Sequence, residues 1–240
     1  MPGSWLRIAH RGASGSTPEH TRPAFERAVS LDVDMIELDV QLSRDEELVV
    51  MHDSELERTT NGRGHVREFT LTQLKQLDCG SWYESAFQGQ PILTLEEVIS
   101  IIGPKVRLNT EMKGSQTDWD SLAPRLLTVL ERSSRLESTI VSCFQPEALI
   151  ALRRLRAHVP LGILWQDPTL ADAWRWAREL GAIAVHPFWM FVDSETVAAA
   201  RERHLQLIAW TVNDVDTIHS LVKLGVDGII SDFPERFALV

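Results

Sequence analysis

The chain has 240 residues, 44% of them hydrophobic and 24% charged, ordinary values for a soluble globular protein and enough length for one large α/β barrel or two small domains. A formal charge of −10 argues against a general nucleic-acid binder, which carries a basic footprint, but leaves room for a small anionic substrate held by local cations. The segment M-P-G-S-W-L-R-I-A-H lacks a basic region followed by an apolar run, and no apolar stretch reaches the length of a membrane span. A cytoplasmic protein is expected, with Cys79 and Cys143 as two lone thiols of a reducing compartment; a mature secreted form, and one disulfide between the two cysteines, are the alternatives.

Taken in order, a short strand over 7–10 runs into the glycine- and serine-rich turn R-G-A-S-G-S-T-P-E-H-T. The apolar spacing of 23–31 predicts a helix, with Pro23 in its first turn and Thr21 as N-cap. Strand 35–40 follows, M-I-E-L-D-V, then a polar turn and a returning strand 48–51 that ends in His52-Asp53. Residues 54–91 are turn-rich and aromatic, with one short helix after Thr70, and read as a small inserted subdomain or lid after the second strand. Beyond Thr94, a second expected cap, helix 95–102 stops at Gly103-Pro104.

Strands and helices then alternate. Strands are expected at 106–111, 139–144, 161–165, 182–186, 206–212 and 228–231, separated by helices at 118–132, 146–156, 170–180, 194–204 and 215–224. With the hairpin return set aside this makes eight strands, the number that closes a (β/α)8 TIM barrel. A doubly wound open sheet would also alternate, but no G-x-G-x-x-G follows the first strand. One barrel domain over 1–240 is therefore expected, with the insertion at about 54–91.

A barrel places its chemistry at the C-terminal strand ends. Those ends carry His10 and Arg11; Glu37 and Asp39; Asn109, Glu111 and Lys113; Cys143 and Phe144; Trp165; His186; Trp210 and Asn213; Ser231 and Asp232. Alternation puts Glu37 and Asp39 on one strand face, where two carboxylates repel unless a proton or cation separates them. The bland alternative is a solvent-facing acidic strand. Glu111 supplies a third acid, and three carboxylates with water suit one divalent cation, Mg²⁺ or Ca²⁺, better than zinc. Arg11 and Lys113 read as anchors for an anion, or as a structural ion-pair network. His10 and His52, both at ends of apolar strands, can exchange acid and base roles near neutral pH. His20 and His186 compete with a merely structural placement, and His65, His158, His204 and His219 are expected to be solvated.

These residues lie in motifs, H-R-G-A-S-G-S-T-P-E-H-T, I-E-L-D-V-Q-L-S-R-D, L-V-V-M-H-D-S-E-L-E-R-T-T-N-G-R-G, N-T-E-M-K, A-W-T-V-N-D and G-V-D-G-I-I-S-D-F-P, that in this order resemble the glycerophosphodiester phosphodiesterases. The likeness runs from Ile8 to Pro234. It implies a barrel enzyme using a divalent cation, with Mn²⁺ a further candidate, to cleave a small glycerophosphodiester such as glycerophosphocholine or glycerophosphoethanolamine to sn-glycerol 3-phosphate and an alcohol. By motif it assigns His10 and His52 to acid–base catalysis, Glu37, Asp39 and Glu111 to the metal, Arg11 and Lys113 to phosphate, and Trp210 to the glycerol side of the pocket. It makes Glu19 a supporting residue for the ligands, and implies attack by the substrate's own 2-hydroxyl through a cyclic phosphate. Three positions depart from the family pattern: His20 where Asn is usual, Cys143 where Ser is common, and Glu46 in place of a turn Gly. A lysophospholipase D-like activity on lysophospholipids and a non-catalytic phosphodiester-binding barrel are the alternatives. Oligomeric state and head-group preference are not encoded legibly.

Overall fold

The computed structural model describes residues 5–115 and 118–240. The expectation of a leaderless N-terminus rests partly on residues 1–4, which lie outside them. Nine strands form one sheet: β1 (Leu6–His10), β2 (Met35–Leu42), β3 (Leu48–Val50), β4 (Arg107–Met112), β5 (Thr139–Cys143), β6 (Leu161–Trp165), β7 (Ala184–Pro187), β8 (Gln206–Ala209) and β9 (Gly228–Ser231). β1 pairs in parallel with both β2 and β9, which closes the sheet. β3 alone is antiparallel, a hairpin on β2. The fold is thus a (β/α)8 barrel of parallel strands with one extra strand on its rim.

The helices are α1 (Arg22–Ser30), α2 (Leu71–Leu74), α3 (Leu95–Ile102), α4 (Trp119–Arg132), α5 (Pro146–Leu155), α6 (Ala171–Leu180), α7 (Ser194–Glu202) and α8 (Val215–Leu224). Their ends follow local chemistry. Thr70, Thr94, Asp193 and Asp214 each accept a backbone N–H three residues on, while α6 and α8 stop at the left-handed Gly181 and Gly225. Thr21 occupies the cap position of α1, but its hydroxyl donates instead to the Pro18 carbonyl at 2.6 Å. Strand 206–212 is shorter than expected: its regular pairing stops at Ala209, and Trp210 keeps only an isolated bridge to Phe188, in the register of the β7–β8 pair. β4 and β7 run to Met112 and Pro187, each one residue past the expected end.

Alternation along the strands sorts side chains into two cores. Ile36, Leu38 and Val40 of β2 point outward against the helices, in a cluster that includes Phe25, Leu95, Val98, Leu122 and Leu126. Ile8, Met35, Ile140, Ala184, Ile208 and Ile230 point inward and plug the barrel. Removing such side chains from water supplies about 1.5–3 kcal/mol each for the large ones. Above this plug the inward positions turn polar, which is where the site lies.

Residues between β3 and α3 leave the barrel and carry their own apolar cluster, in which Met51, Leu56, Val66, Leu74, Cys79 and Ile92 are buried. The phenol of Tyr83 donates to the Gly15 carbonyl at 3.0 Å, tying this segment to the loop after β1. That loop needs glycine: Gly12 has φ +82°, and a Cβ there would come within 2.7 Å of Ala24.

Candidate active site

Strand register assembles the acids. Across the β1–β2 and β2–β4 ladders, His10 lies beside Glu37, Glu37 beside Asn109, and Asp39 beside Glu111. Oxygens of Glu37, Asp39 and Glu111 all lie within 4.8 Å of one another, and all three residues are buried. Glu37 Oε2 and both Asp39 carboxylate oxygens have no hydrogen-bond partner. Burial, then repulsion from Asp39 and Glu111, raises Glu37 well above the usual carboxylate range. Burial with the Asp39 charge likewise pushes Glu111 up to about 7. Burial also acts on Asp39, but Lys113 and Arg11 outweigh it and hold this carboxyl below its ordinary value. Three such groups cannot all be ionised without more positive charge than the two side chains bring. Hard carboxylate oxygens at this spacing, three of them without a hydrogen bond, fit a single divalent cation.

The two cations sit over the acids. Lys113 Nζ lies 2.6 Å from Glu111 Oε1 and 3.2 Å from Asp39 Oδ1. Arg11 Nε is 3.3 Å from Asp39 Oδ2 and its NH1 donates to Glu19 at 2.9 Å. Burial opposes the charge on both, yet the surrounding carboxylates keep both above their ordinary pKa. Arg11 adopts φ +54°, a left-handed turn just past β1 that sends the chain back over the barrel mouth.

Two imidazoles face this cluster. His10 Nε2 is 3.7 Å from Glu37, while its Nδ1 is 2.6 Å from Asp232 Oδ1. Asp232 is itself held by Asn213 Nδ2 and the Ser14 hydroxyl. Burial raises its pKa, but the His10 contact prevails and brings it down to about 2. His52 repeats the arrangement, with Nδ1 2.6 Å from Asp53 Oδ1. Asp53 is gripped by Arg58, whose other N–H groups donate to Glu19 at 2.8 Å. Burial draws the His52 pKa down, partly offset by Asp39.

His20, at φ +59°, is buried under Asp39, and its Nε2 accepts the Asp39 backbone N–H at 3.3 Å. His186 is fully buried in the barrel beside Gly162, where a Cβ would come within 2.8 Å of the imidazole; it does not line the cleft. Burial draws both of these histidines down to about 3. His65, His158, His204 and His219 are exposed.

A cleft of about 100 Å³ brings His10, Arg11, Glu37, His52, Glu111 and Lys113 together against an apolar wall of Phe144, Leu164, Trp210 and Ile230. Trp210 stands edge-on to Phe144 and donates its indole N–H to the His186 carbonyl at 2.7 Å. A larger cavity of about 490 Å³ adjoins this cleft, and His52 and Lys113 border both. Sequence reasoning placed Asp232, Asn213 and Phe144 at strand ends without giving them a role, and passed over Arg58. The last sits in an exposed-looking loop, with no periodicity to single it out.

Residues 10–236 match the glycerophosphoryl diester phosphodiesterase family. A glycerophosphodiester phosphodiesterase of Caldanaerobacter subterraneus subsp. tengcongensis is 39% identical over 231 residues, 96% of this chain and 95% of that one. One from Bacillus subtilis is 33% identical, covering 98% of this chain and 86% of its own. The structure of an Oleispira antarctica phosphodiesterase in complex with the product sn-glycerol-3-phosphate superposes with a TM-score of 0.91 at 30% identity, covering 97% of this chain and 94% of that one. With its barrel, its acidic cluster and these relatives, the chain belongs to the glycerophosphoryl diester phosphodiesterase family and is a phosphodiester hydrolase of that family.

Proposed function

We propose that this enzyme hydrolyses small glycerophosphodiesters to sn-glycerol 3-phosphate and an alcohol, with His10 and His52 as a paired acid and base and a divalent cation held by Glu37, Asp39 and Glu111. The observation that carries the reading is the cleft in which two aspartate-backed imidazoles and two buried cations meet Glu37 and Glu111, two members of the three-carboxylate cluster that Asp39 completes beneath them. The cation, Mg²⁺ or Ca²⁺ with Mn²⁺ also suited to oxygen ligands, supplies Lewis-acid neutralisation of phosphate charge. Arg11 and Lys113 bind the phosphate oxygens from the other side. The small cleft accommodates the glycerol against Phe144 and Trp210.

His10 borders only the small cleft, whereas His52 borders both cavities. In-line displacement places the attacking and leaving oxygens on opposite sides of phosphorus. His10 therefore takes the proton of the glycerol 2-hydroxyl as that oxygen bonds to phosphorus, and His52 protonates the alkoxide of the head group as its P–O bond breaks. The attacker is already tethered, so proximity lowers the barrier. Water then enters from the His52 side, losing its proton to that residue, and His10 returns a proton to the 2-oxygen as the cyclic phosphate opens.

The reading includes a cytoplasmic setting, which the unpaired buried thiols of Cys79 and Cys143 suit. No helix among the described residues is long and apolar enough to cross a membrane. Trp82 of the insertion and Met190 of the 3₁₀ turn after β7, 40% and 65% exposed, favour a second reading in which lysophospholipids are also cleaved. Measuring release of the head-group alcohol, choline or ethanolamine, from glycerophosphocholine, glycerophosphoethanolamine and lysophosphatidylcholine, with EDTA and metal add-back, tests both; the other product is glycerol 3-phosphate from the short diesters and lysophosphatidate from the lysophospholipid. Metal-independent release sinks the three-carboxylate site, and lysophospholipid turnover exceeding that of the short diesters replaces the first reading by the second.

A further inference from the structure

The cavity of about 490 Å³ beyond His52 is far larger than the glycerol cleft, and it begins where the mechanism above releases the head-group alcohol. Its wall is polar. Ser54 and His65 come from the insertion, Arg67 from the 3₁₀ turn that follows them, and Asp118 from the start of α4. None of the described residues lining it carries a phenyl, phenol or indole ring.

That composition discriminates between head groups. A quaternary ammonium is recognised by aromatic faces or by a carboxylate that is not already neutralised. Asp118 is the only carboxylate bordering this cavity among the described residues, and it is occupied: Arg67 Nε lies 3.4 Å from its Oδ1, and Ser115 donates its backbone N–H and its hydroxyl to Oδ2. Arg67 spends NH1 on the Ser43 carbonyl and Nε on Asp118, which leaves further N–H groups of its fork to donate. With Lys113 at the inner end, cationic groups outnumber the one carboxylate. The described residues of this wall offer donors and hydroxyls to an alcohol rich in oxygen, and neither an aromatic face nor a free carboxylate to trimethylammonium.

We infer that this cavity is the head-group subsite and that it selects an uncharged polyol, such as glycerol or an inositol, over choline. The inference rests on the proposed function, since it needs the leaving alcohol to lie on the His52 side. A competing surface exists. A more open shelf, which shares His52 and Ser54 with this cavity, carries Glu55 and Glu57 and would serve an ammonium head group. It shares no border with Lys113.

The test compares kcat/KM of the metal-loaded enzyme for glycerophosphoglycerol, glycerophosphoinositol and glycerophosphocholine. The polyol diesters are expected to exceed the choline diester by about tenfold or more, the discrimination that one or two satisfied hydrogen bonds supply. Arg67→Ala should bring that ratio to within about threefold, through a rise in KM for the polyol diesters. Ser54→Ala, which leaves the Arg67–Asp118 pair intact, should lower it by a smaller factor and guards against misfolding of the first variant. Free myo-inositol should inhibit competitively at concentrations where choline does not. A choline diester that matches or exceeds the polyols overturns the subsite and points to the Glu55–Glu57 shelf. A ratio indifferent to both substitutions also overturns it. If all diesters are cleaved equally, only this inference fails; if none is cleaved, the proposed function fails and takes the subsite with it.

Discussion

Nδ1 of His10 lies 2.6 Å from Oδ1 of Asp232, although the two residues are 222 positions apart in the chain. The carboxylate accepts the Nδ1 proton and so leaves Nε2, the nitrogen that faces Glu37, as the one able to exchange a proton with a ligand. Asp232→Asn substitutes an amide that can donate to Nδ1 and select the opposite tautomer. Its kcat should fall by about a hundredfold with KM little changed. Nitrogen NMR of the His10 ring should report the tautomer change. A variant within threefold of the parent in kcat removes Asp232 from any positioning role.

That pair marks the limit of what a sequence reveals. Alternation along 35–40 was enough to put Glu37 and Asp39 on one face, and strand ends were enough to list His10, Glu111, Trp210 and Asp232. Facing Asp39 to Glu111 takes the β2–β4 register, and bridging Glu19 to Asp53 takes Arg58, 39 positions from Glu19. These are consequences of barrel closure and loop packing, for which residue spacing holds no signal. Trp210 shows the converse. Its apolar neighbours extend the strand pattern to Val212, yet the regular ladder ends at Ala209, and Trp210 keeps one bridge to Phe188 and an indole bond to the His186 carbonyl.

Cation binding should be measurable apart from turnover. A ligand that binds only the folded state stabilises it by about 2.7 kcal/mol at a hundredfold excess over Kd. For a chain of this length that corresponds to a rise in Tm of roughly 5–10 °C. Differential scanning fluorimetry of the EDTA-treated protein should show that rise on addition of Mg²⁺, Ca²⁺ or Mn²⁺. Glu111→Gln, which removes one of the three clustered acids, should abolish it. An unchanged rise in the variant counts against Glu111 as a ligand.

Glu19 ties acid stability to the site. Burial opposes its ionisation, but hydrogen bonds from Arg58 and the charge of Arg11 prevail and lower its pKa to about 2. A carboxyl whose folded pKa lies below its unfolded one stabilises the fold above the unfolded value, near 4.3, and loses that contribution as pH falls through the folded one. The full contribution is on the order of 3 kcal/mol. Glu19→Gln should therefore unfold more readily in urea at pH 7 and converge on the parent as pH falls from about 5 to 2. Parallel stability curves over that interval would contradict the assignment.

Glu46 occupies a turn at φ +60°, a conformation that costs an L-residue with a side chain about 1–2 kcal/mol and glycine almost nothing. Glycine also gains more entropy on unfolding, which offsets part of the advantage. Glu46→Gly should raise the stability by about 0.5–1 kcal/mol without altering kcat, because Glu46 does not border the cleft. Chemical denaturation at fixed metal concentration checks it, and a lower midpoint refutes it.

His20 also sits in the left-handed region, where His and Asn are both enriched over other side chains, so the fold tolerates either at this position. Its second property is a hydrogen bond. Nε2 accepts the Asp39 backbone N–H, which requires an unprotonated nitrogen there. Burial, which lowers its pKa to about 3, maintains that state. The folded pKa lies below the unfolded one, so this contribution is complete above about pH 6.5 and declines as pH falls through the folded value. His20→Ala removes the acceptor beneath a residue of the acidic cluster and places Ala at positive φ. It should cost about 2–4 kcal/mol of stability and weaken cation binding by about 10–100-fold. His20→Asn keeps the backbone preference and should recover more than half of the lost stability. If the Asn variant is as unstable as the Ala variant, backbone conformation does not govern this position, and the imidazole contact with Asp39 does.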